Sequence, residues 1–235
     1  MGNVLYVVMP AYNEEANIEK TVSDWYKVLE GKSELSRLVV ADSGSTDKTH
    51  EILIGLKEKM PQLMVLENTL KLHGPKLIAL YRYAIDNKAD YIFQTDSDGQ
   101  TNSQEFDAFW DEREKYEAVF GFRRKRGDGA SRMFIEKVLC FILRVIFGVD
   151  VPDANAPFRL MRADALDEYM ERFWPEYNLP NVMIVTFFKH YKRNILFKEI
   201  TFEDRRGGKN SINIRKICSI GFKSLKEFYH FKSAM

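Results

Sequence analysis

The chain has 235 residues, of which 45% are hydrophobic and 29% charged, a balance that suits one large α/β domain and excludes global disorder. Lysine and arginine total 35 against 34 acids, a net charge of +1, so no whole-molecule field draws in nucleic acid. Cys140 and Cys218 make no Cys-x-x-Cys spacing and read as reduced thiols of a cytosolic protein.

Leu5 to Met9 is an apolar run bounded by Pro10, with no basic segment before it; it is expected to be a buried first strand rather than a signal peptide. Asn13 is placed to cap a following helix, with Glu14 and Glu15 in its first turn. Arg37 to Ala41 reads as the second strand, Asp42 to Thr46 as a loop, and Asp47 as the opening of the next helix. Leu63 to Leu66 is the third strand. His73-Gly74-Pro75 reads as a break before a helix from Lys76 to Asn87, with His73 able to reach a ligand but taken as structural or solvent-facing. Tyr91-Ile92-Phe93 is the fourth strand and runs into Thr95-Asp96-Ser97-Asp98-Gly99. Ala118 to Phe122 is the fifth.

The second half is less regular. It holds an apolar helix near Phe134 to Phe147, an extended run Phe158 to Met161, a helix from Ala163 to about Phe173, a strand from Ile195 to Phe202 and a terminal helix. No stretch reaches the ~18 apolar residues that span a bilayer. No internal repeat or low-complexity linker divides the chain.

Strands alternating with helical patterns imply a mainly parallel sheet with flanking helices, and such sheets bind ligands beyond the carboxyl ends of their strands. The polar clusters Tyr12 to Asn17, Asp42 to Thr46 and Asp96 to Gln100 all follow strands, so they converge on one rim. Asp96 and Asp98, two apart in an extended segment, project to the same side. Their mutual repulsion favours a cation between them, and hard oxygen donors select Mg2+ or Mn2+ sharing its shell with substrate phosphates. The plain alternative is a solvated turn. Asp42, at a strand end, can accept from a base or ribose, while Tyr12 offers an aromatic face and Glu14 an acceptor. Basic residues cluster at Arg123 to Arg126, at Arg159 and Arg162, and in the glycine-containing loop Arg205-Arg206-Gly207-Gly208-Lys209, where guanidinium forks and backbone N–H groups suit phosphate. No zinc-type His/Cys spacing or nucleophile elbow appears.

The terminal helix aligns Ile214, Ile217, Gly221, Leu225 and Phe228 on one stripe beside Arg215, Lys216, Lys223, Lys226 and Lys232. That pattern suits either an anionic membrane surface or packing on its own domain. The 134–147 helix is apolar nearly all round and is either buried or dipped into an interface.

Together these residues resemble the family 2 inverting glycosyltransferases of GT-A fold. The matching segments are Met9-Pro10-Ala11-Tyr12-Asn13-Glu14-Glu15, Ala41-Asp42-Ser43-Gly44-Ser45-Thr46-Asp47-Lys48-Thr49 and Asp96-Ser97-Asp98-Gly99-Gln100. The resemblance implies a nucleotide pocket lined by Pro10, Tyr12 and Glu14, a base contact from Asp42 with Ser43 beside it, and diphosphate and metal handling by Asp96, Ser97 and Asp98. The second half resembles the branch of dolichyl-phosphate mannose synthases and bacterial polyprenyl-phosphate sugar transferases. It does so through Asp153-Ala154-Asn155-Ala156-Pro157-Phe158-Arg159 and through Arg205-Arg206-Gly207-Gly208-Lys209-Asn210-Ser211. Here Ala156-Pro157 stands where that branch has Ser-Gly, and Asn210-Ser211 where it has Ser-Lys.

This resemblance implies one domain over 1–235, with a donor half (1–125), an acceptor half (126–211) and an amphipathic helix (212–235). It implies metal-dependent, inverting transfer from a UDP- or GDP-type sugar. Asp98, Asp153, Arg205 and Lys209 would be catalytic, and Arg123 and Arg159 would orient phosphates. A polyprenyl phosphate acceptor needs no general base; a glycan hydroxyl would need one, from Asp153 or Glu176. A non-catalytic nucleotide-sugar-binding protein is the third reading. The place of action is then the cytoplasm, peripherally on the cytoplasmic face of a membrane, with a membrane subunit or a second copy as further partners.

Overall fold

The computed structural model describes residues 3–124, 130–204 and 214–235, with the backbone alone for 130–131 and 214–223. Seven strands form one sheet in the order β3-β2-β1-β4-β6-β5-β7. They are β1 (Leu5–Ala11), β2 (Arg37–Asp42), β3 (Leu63–Leu66), β4 (Tyr91–Thr95), β5 (Ala118–Phe122), β6 (Phe158–Arg162) and β7 (Ile195–Glu199). Every pairing is parallel except those of β6, which runs antiparallel to β4 and β5. The extended run at 158–161 is therefore a strand, and a reversed one. The chain leaves β5 at the carboxyl rim and comes back to that rim before β6, where Phe158 pairs with Thr95. Residues 153–157 are thereby delivered to the rim where the polar clusters meet.

Helices cover both faces. On one, Leu5, Val7 and Met9 of β1 pack with Ile18, Val22 and Trp25 of α1 (Ile18–Tyr26), spaced to share one helical stripe. Phe93, Phe106, Phe109 and Phe158 complete this core edge-to-face, with Phe93 and Phe158 ring centroids 4.7 Å apart. Tyr6 and Val8 point to the other face, against α3 (His73–Asp86), α6 (Ala163–Met170) and α7 (Pro180–His190). β1 is buried along its whole length because it has helices on both sides.

Some boundaries differ from those expected. Asn13 caps no helix: it turns the chain at φ 54, and α1 begins at Ile18. His73-Gly74-Pro75 is the first turn of α3 rather than a break, since proline there loses an N–H that has no helical partner anyway. Gly74 is required because a Cβ would lie 2.4 Å from the Asn178 carbonyl packed on that turn. β7 stops at Glu199, and Phe202 makes an isolated bridge with Thr101. Asp47 stands just before α2 (Thr49–Lys57), whose N-cap is Lys48, and its Oδ1 accepts from the Thr49 N–H at 3.0 Å.

Two helices bear on membrane contact. In α5 (Ala130–Phe147), Leu143 and Phe147 are buried, while Phe134, Phe141 and Val145 are 69%, 65% and 67% exposed. In α8 (Ile214–Ser233), Phe228 packs against Phe147, and Phe231 stacks on Trp174 with ring centroids 5.3 Å apart. The described end of α8 thus packs on its own domain. Among the described residues no helix is long and apolar enough to cross a membrane.

Candidate active site

The rim is built by stitching one loop to the next. Ala11 and Asp42 are partners at the ends of β1 and β2. Past them, the Asn13 N–H donates to Ser45 Oγ at 3.0 Å, Asn13 Oδ1 accepts from the Thr46 N–H at 2.8 Å, and the Glu14 N–H donates to Thr49 Oγ1 at 2.7 Å. Asp42 is buried; its Oδ1 accepts from Ser45 Oγ at 2.5 Å and its Oδ2 faces His50 Nδ1 at 3.2 Å. Tyr12 keeps 41% of its surface exposed, so its ring is open to a ligand. Glu14, expected in the pocket, is buried, and its Oε2 accepts from Asn17 Nδ2 at 3.1 Å.

Several polar side chains expected at the donor also tie one rim loop to the next. Ser97 Oγ donates to the Pro10 carbonyl at 2.8 Å, tying the Asp96–Asp98 loop to β1. Ser43 Oγ donates to the Thr69 carbonyl at 2.7 Å, drawing residues 69–71 across the end of β2. Each bond uses the hydroxyl proton to fix a neighbour in place and leaves the oxygen able to accept.

Asp96 and Asp98 are half-buried. Asp96 Oδ1 accepts from Gln94 Nε2 at 3.2 Å and lies 3.3 Å from His73 Nε2; Asp98 Oδ1 accepts from the Gln100 N–H at 3.1 Å. About half of the His73 side chain is exposed, as its solvent-facing reading expects, and although desolvation opposes it, the hydrogen bond to Asp96 and the charges of Asp96 and Asp98 raise its pKa. Behind Asp96 runs a buried chain: Gln94 Oε1 accepts from Asn181 Nδ2 at 3.0 Å, and Asn181 Oδ1 accepts from Tyr81 Oη at 2.7 Å. Such outer partners orient a ligating carboxylate. Among the described residues no group of three or more His, Cys, Asp or Glu could hold a metal alone. Two hard carboxylates instead fit an ion that completes its shell with diphosphate oxygens and water.

Lys76, in the first turn of α3, was missed. Its ammonium donates to the Ala11 carbonyl at 2.5 Å and lies 5.4 Å from the Tyr12 ring centroid. Burial lowers its pKa to about 8, against the opposing charge of Asp42. A charged residue where α3 otherwise buries apolar side chains was the available signal.

Residues 123–159 correct two expectations. Asp153 is not free to act as a base: its Oδ2 accepts from Arg123 Nε at 2.7 Å and its Oδ1 from Nη2 at 2.9 Å, with both side chains buried. Burial would raise its pKa, but the Arg123 guanidinium holds it below the usual carboxylate range, and a carboxylate held low is a weak base. Arg123 is held in the same pair and also lies 3.8 Å from Glu136. Arg159 is fully buried and donates to the carbonyls of Ala154, Ala156 and Asn181 at 2.9, 2.8 and 2.6 Å, so it braces the 154–156 turn rather than a phosphate. Burial lowers its pKa to about 10. Arg205 and Lys209 lie outside the described residues. The segment leading to them is anchored, because the Glu203 N–H donates to the Gln100 carbonyl at 2.9 Å and Gln100 Nε2 donates to the Glu203 carbonyl at 2.8 Å. Glu176 is exposed, beside the turn packed on Gly74. A groove of about 730 Å³ between α1 and residues 99–107 meets the carboxylate loop only at Gly99 and is not the convergence point of the clusters.

The family model described as "Glycosyl transferase family 2" matches residues 6–170. The chain is 28% identical over 150 residues to a dolichyl-phosphate beta-glucosyltransferase of Dictyostelium discoideum, covering 58% of this chain and 46% of that protein. It is 26% identical over 165 residues to an undecaprenyl-phosphate mannosyltransferase of Micrococcus luteus, covering 68% and 66%. The chain thus spans about half the length of the first relative. Among solved structures, glucosyl-3-phosphoglycerate synthase of Mycobacterium tuberculosis in complex with UDP superposes with a TM-score of 0.69 at 20% identity, covering 99% of this chain and 81% of that one. The same enzyme in complex with Mn2+ and UDP-glucose also superposes at 0.69, with 18% identity and coverage of 95% and 77%. At that identity the likeness establishes a shared fold.

Proposed function

The chain belongs to glycosyl transferase family 2, and we propose that it moves one sugar from a nucleoside diphosphate sugar to a polyprenyl phosphate, with inversion at the anomeric carbon. The observation that carries the donor half is the meeting of Tyr12, Asp42, Asp96 and Asp98 on the rim made by β1, β2 and β4. Tyr12 offers a ring face to the base, and Asp42 retains acceptor capacity beside it. Asp96 and Asp98 would hold a divalent cation, Mg2+ or Mn2+, whose charge neutralises the departing diphosphate. The fold neighbour's complex with Mn2+ and UDP-glucose supports that assignment. Arg205 and Lys209 would add cationic stabilisation of the same leaving group, electrostatic help that is often the largest single contribution to catalysis.

Three observations favour a phosphate acceptor. An ionised phosphate needs no base, and the carboxylate nearest that role, Asp153, is held by Arg123. Two curated relatives are named as transferases to dolichyl or undecaprenyl phosphate. Finally, α5 exposes Phe134, Val138, Phe141 and Val145 on one stripe, with the exposed Lys137 and Arg144 along its edge. That arrangement fits an anionic bilayer in which the acceptor resides. Incubation with UDP- and GDP-sugars and a short polyprenyl phosphate should yield a lipid-linked monosaccharide of inverted configuration. Transfer to soluble glycans alone would overturn the acceptor assignment.

A further inference from the structure

Behind Asp96, one buried polar line runs from Tyr81 of α3 through Asn181 of α7 to Gln94 of β4. Asn181 stands among Val182, Met183, Ile184 and Val185, where an amide without partners would be costly. Tyr81 Oη donates to Asn181 Oδ1, Asn181 Nδ2 to Gln94 Oε1, and Gln94 Nε2 to Asp96 Oδ1. Both ends fix the direction of the line, because a tyrosine hydroxyl has one proton to give and an ionised carboxylate only accepts. Burial raises the Tyr81 pKa, with the charge of Arg159 opposing it and that of Asp96 adding to it, so the hydroxyl keeps its proton. Each amide in between must turn its oxygen toward Tyr81 and its nitrogen toward Asp96. Gln94 and His73 both meet Oδ1 of Asp96. Among the described residues no hydrogen bond reaches its Oδ2, and 25% of the side chain is exposed.

We propose that Tyr81 and Asn181 are positioning residues for a divalent cation at Asp96: through Gln94 they pin Oδ1 and leave Oδ2 presented to the ion. The inference rests on the metal role proposed above for Asp96 and deepens it, since neither residue touches the ion. With the line cut, Gln94 is free to turn, and the ion must order the carboxylate as it binds, so its affinity falls. Asn181 is also held from behind. Its backbone carbonyl accepts from Arg159 Nη1 at 2.6 Å, and the same guanidinium braces the turn at Ala154 and Ala156. A change of the Asn181 side chain leaves that carbonyl in place.

The test is Mn2+ binding to the whole chain, alone and with UDP or GDP, read by electron paramagnetic resonance. It compares the native protein with Tyr81→Phe, Asn181→Leu and the double variant. Asn181→Leu should weaken Mn2+ about tenfold or more, and Tyr81→Phe about threefold or more. The double variant should be no weaker than Asn181→Leu, because both changes cut one line. Nucleotide affinity in EDTA should stay native. In turnover, KM for Mn2+ should rise while kcat at saturating Mn2+ is retained, a split that a merely structural role would not produce. Native-like Mn2+ affinity in the variants, losses that add in the double variant, or an equal loss of metal-free nucleotide affinity overturns the inference and leaves the metal role standing. A native chain that binds no Mn2+ under any of these conditions overturns the metal role as well. Tyr81→Phe, which keeps its ring in the core, decides the matter if Asn181→Leu fails to fold.

Discussion

Burying Lys76 beside the Ala11 carbonyl has a stability cost that its pKa makes visible. Its folded value is lowered to about 8, against about 10.4 for an unperturbed lysine. The unfolded chain therefore binds more protons between those values, and stability rises with pH across that window. Below pH 8 the full cost is present. Lys76→Met should accordingly raise the unliganded melting temperature at pH 7 by a few degrees, about 1 kcal/mol, and the advantage should shrink toward pH 10. Scanning calorimetry at several pH values checks this; a variant less stable at every pH would contradict it. Asp98→Ala should lower metal-dependent turnover about 100-fold or more with little change in melting temperature. A variant keeping full turnover would remove Asp98 from the metal role. That Asp42, Asp96 and Asp98 gather on one rim was legible because acids directly after apolar strands have a strong positional meaning. Lys76 and His73 were not, since a helix pattern does not say what its first turn faces. Arg159 misled: a guanidinium in sequence looks like a phosphate ligand, and only the fold shows three backbone carbonyls around it.

Among the elements, the parallel strands β1 to β5 were readable because strands buried on both faces appear as apolar runs with turns at their ends. The reversal of β6 was not, because an extended run carries no mark of its direction. That reversal has an energetic signature. Asp153, in the lead-in to β6, pairs with Arg123, which follows β5 and also lies 3.8 Å from Glu136. Asp153→Asn, which loses the charge-assisted pair while Glu136 remains, should cost about 1.5–3 kcal/mol in urea unfolding. The folded pKa of Asp153 is depressed, so its contribution is present above the ordinary carboxylate value of about 4 and is lost as pH falls below it. The native-to-variant gap should therefore narrow at low pH, and a gap independent of pH would contradict the pairing. On α5, Phe134 and Phe141 are exposed, so replacing both by serine should leave the melting temperature unchanged. Sedimentation with anionic vesicles should fall about tenfold or more, since each ring buried in lipid contributes about 1.5–3 kcal/mol. Undiminished sedimentation would move membrane contact away from this face.

For the whole molecule, the first half of the chain was far more legible than the second. The first half carries its polar residues in short motifs set at strand ends, whereas the second half brings together residues far apart in the chain, as the Arg123–Asp153 pair illustrates. The fold joins the halves through the β4–β6 ladder and through the paired hydrogen bonds between Gln100 and Glu203, which bring the approach to Arg205 against the carboxylate loop. A donor site and an acceptor phosphate handled on one rim predict coupling: release of the nucleotide should be slow by hydrolysis and fast by transfer. The most direct measurement is nucleoside diphosphate release from UDP- and GDP-sugars with Mn2+ or Mg2+, with and without a short polyprenyl phosphate. The account predicts release that requires the metal and increases at least about tenfold when the lipid phosphate is added, as proper positioning of two reactants allows. Release unaffected by the lipid phosphate, or equal without metal, would contradict it.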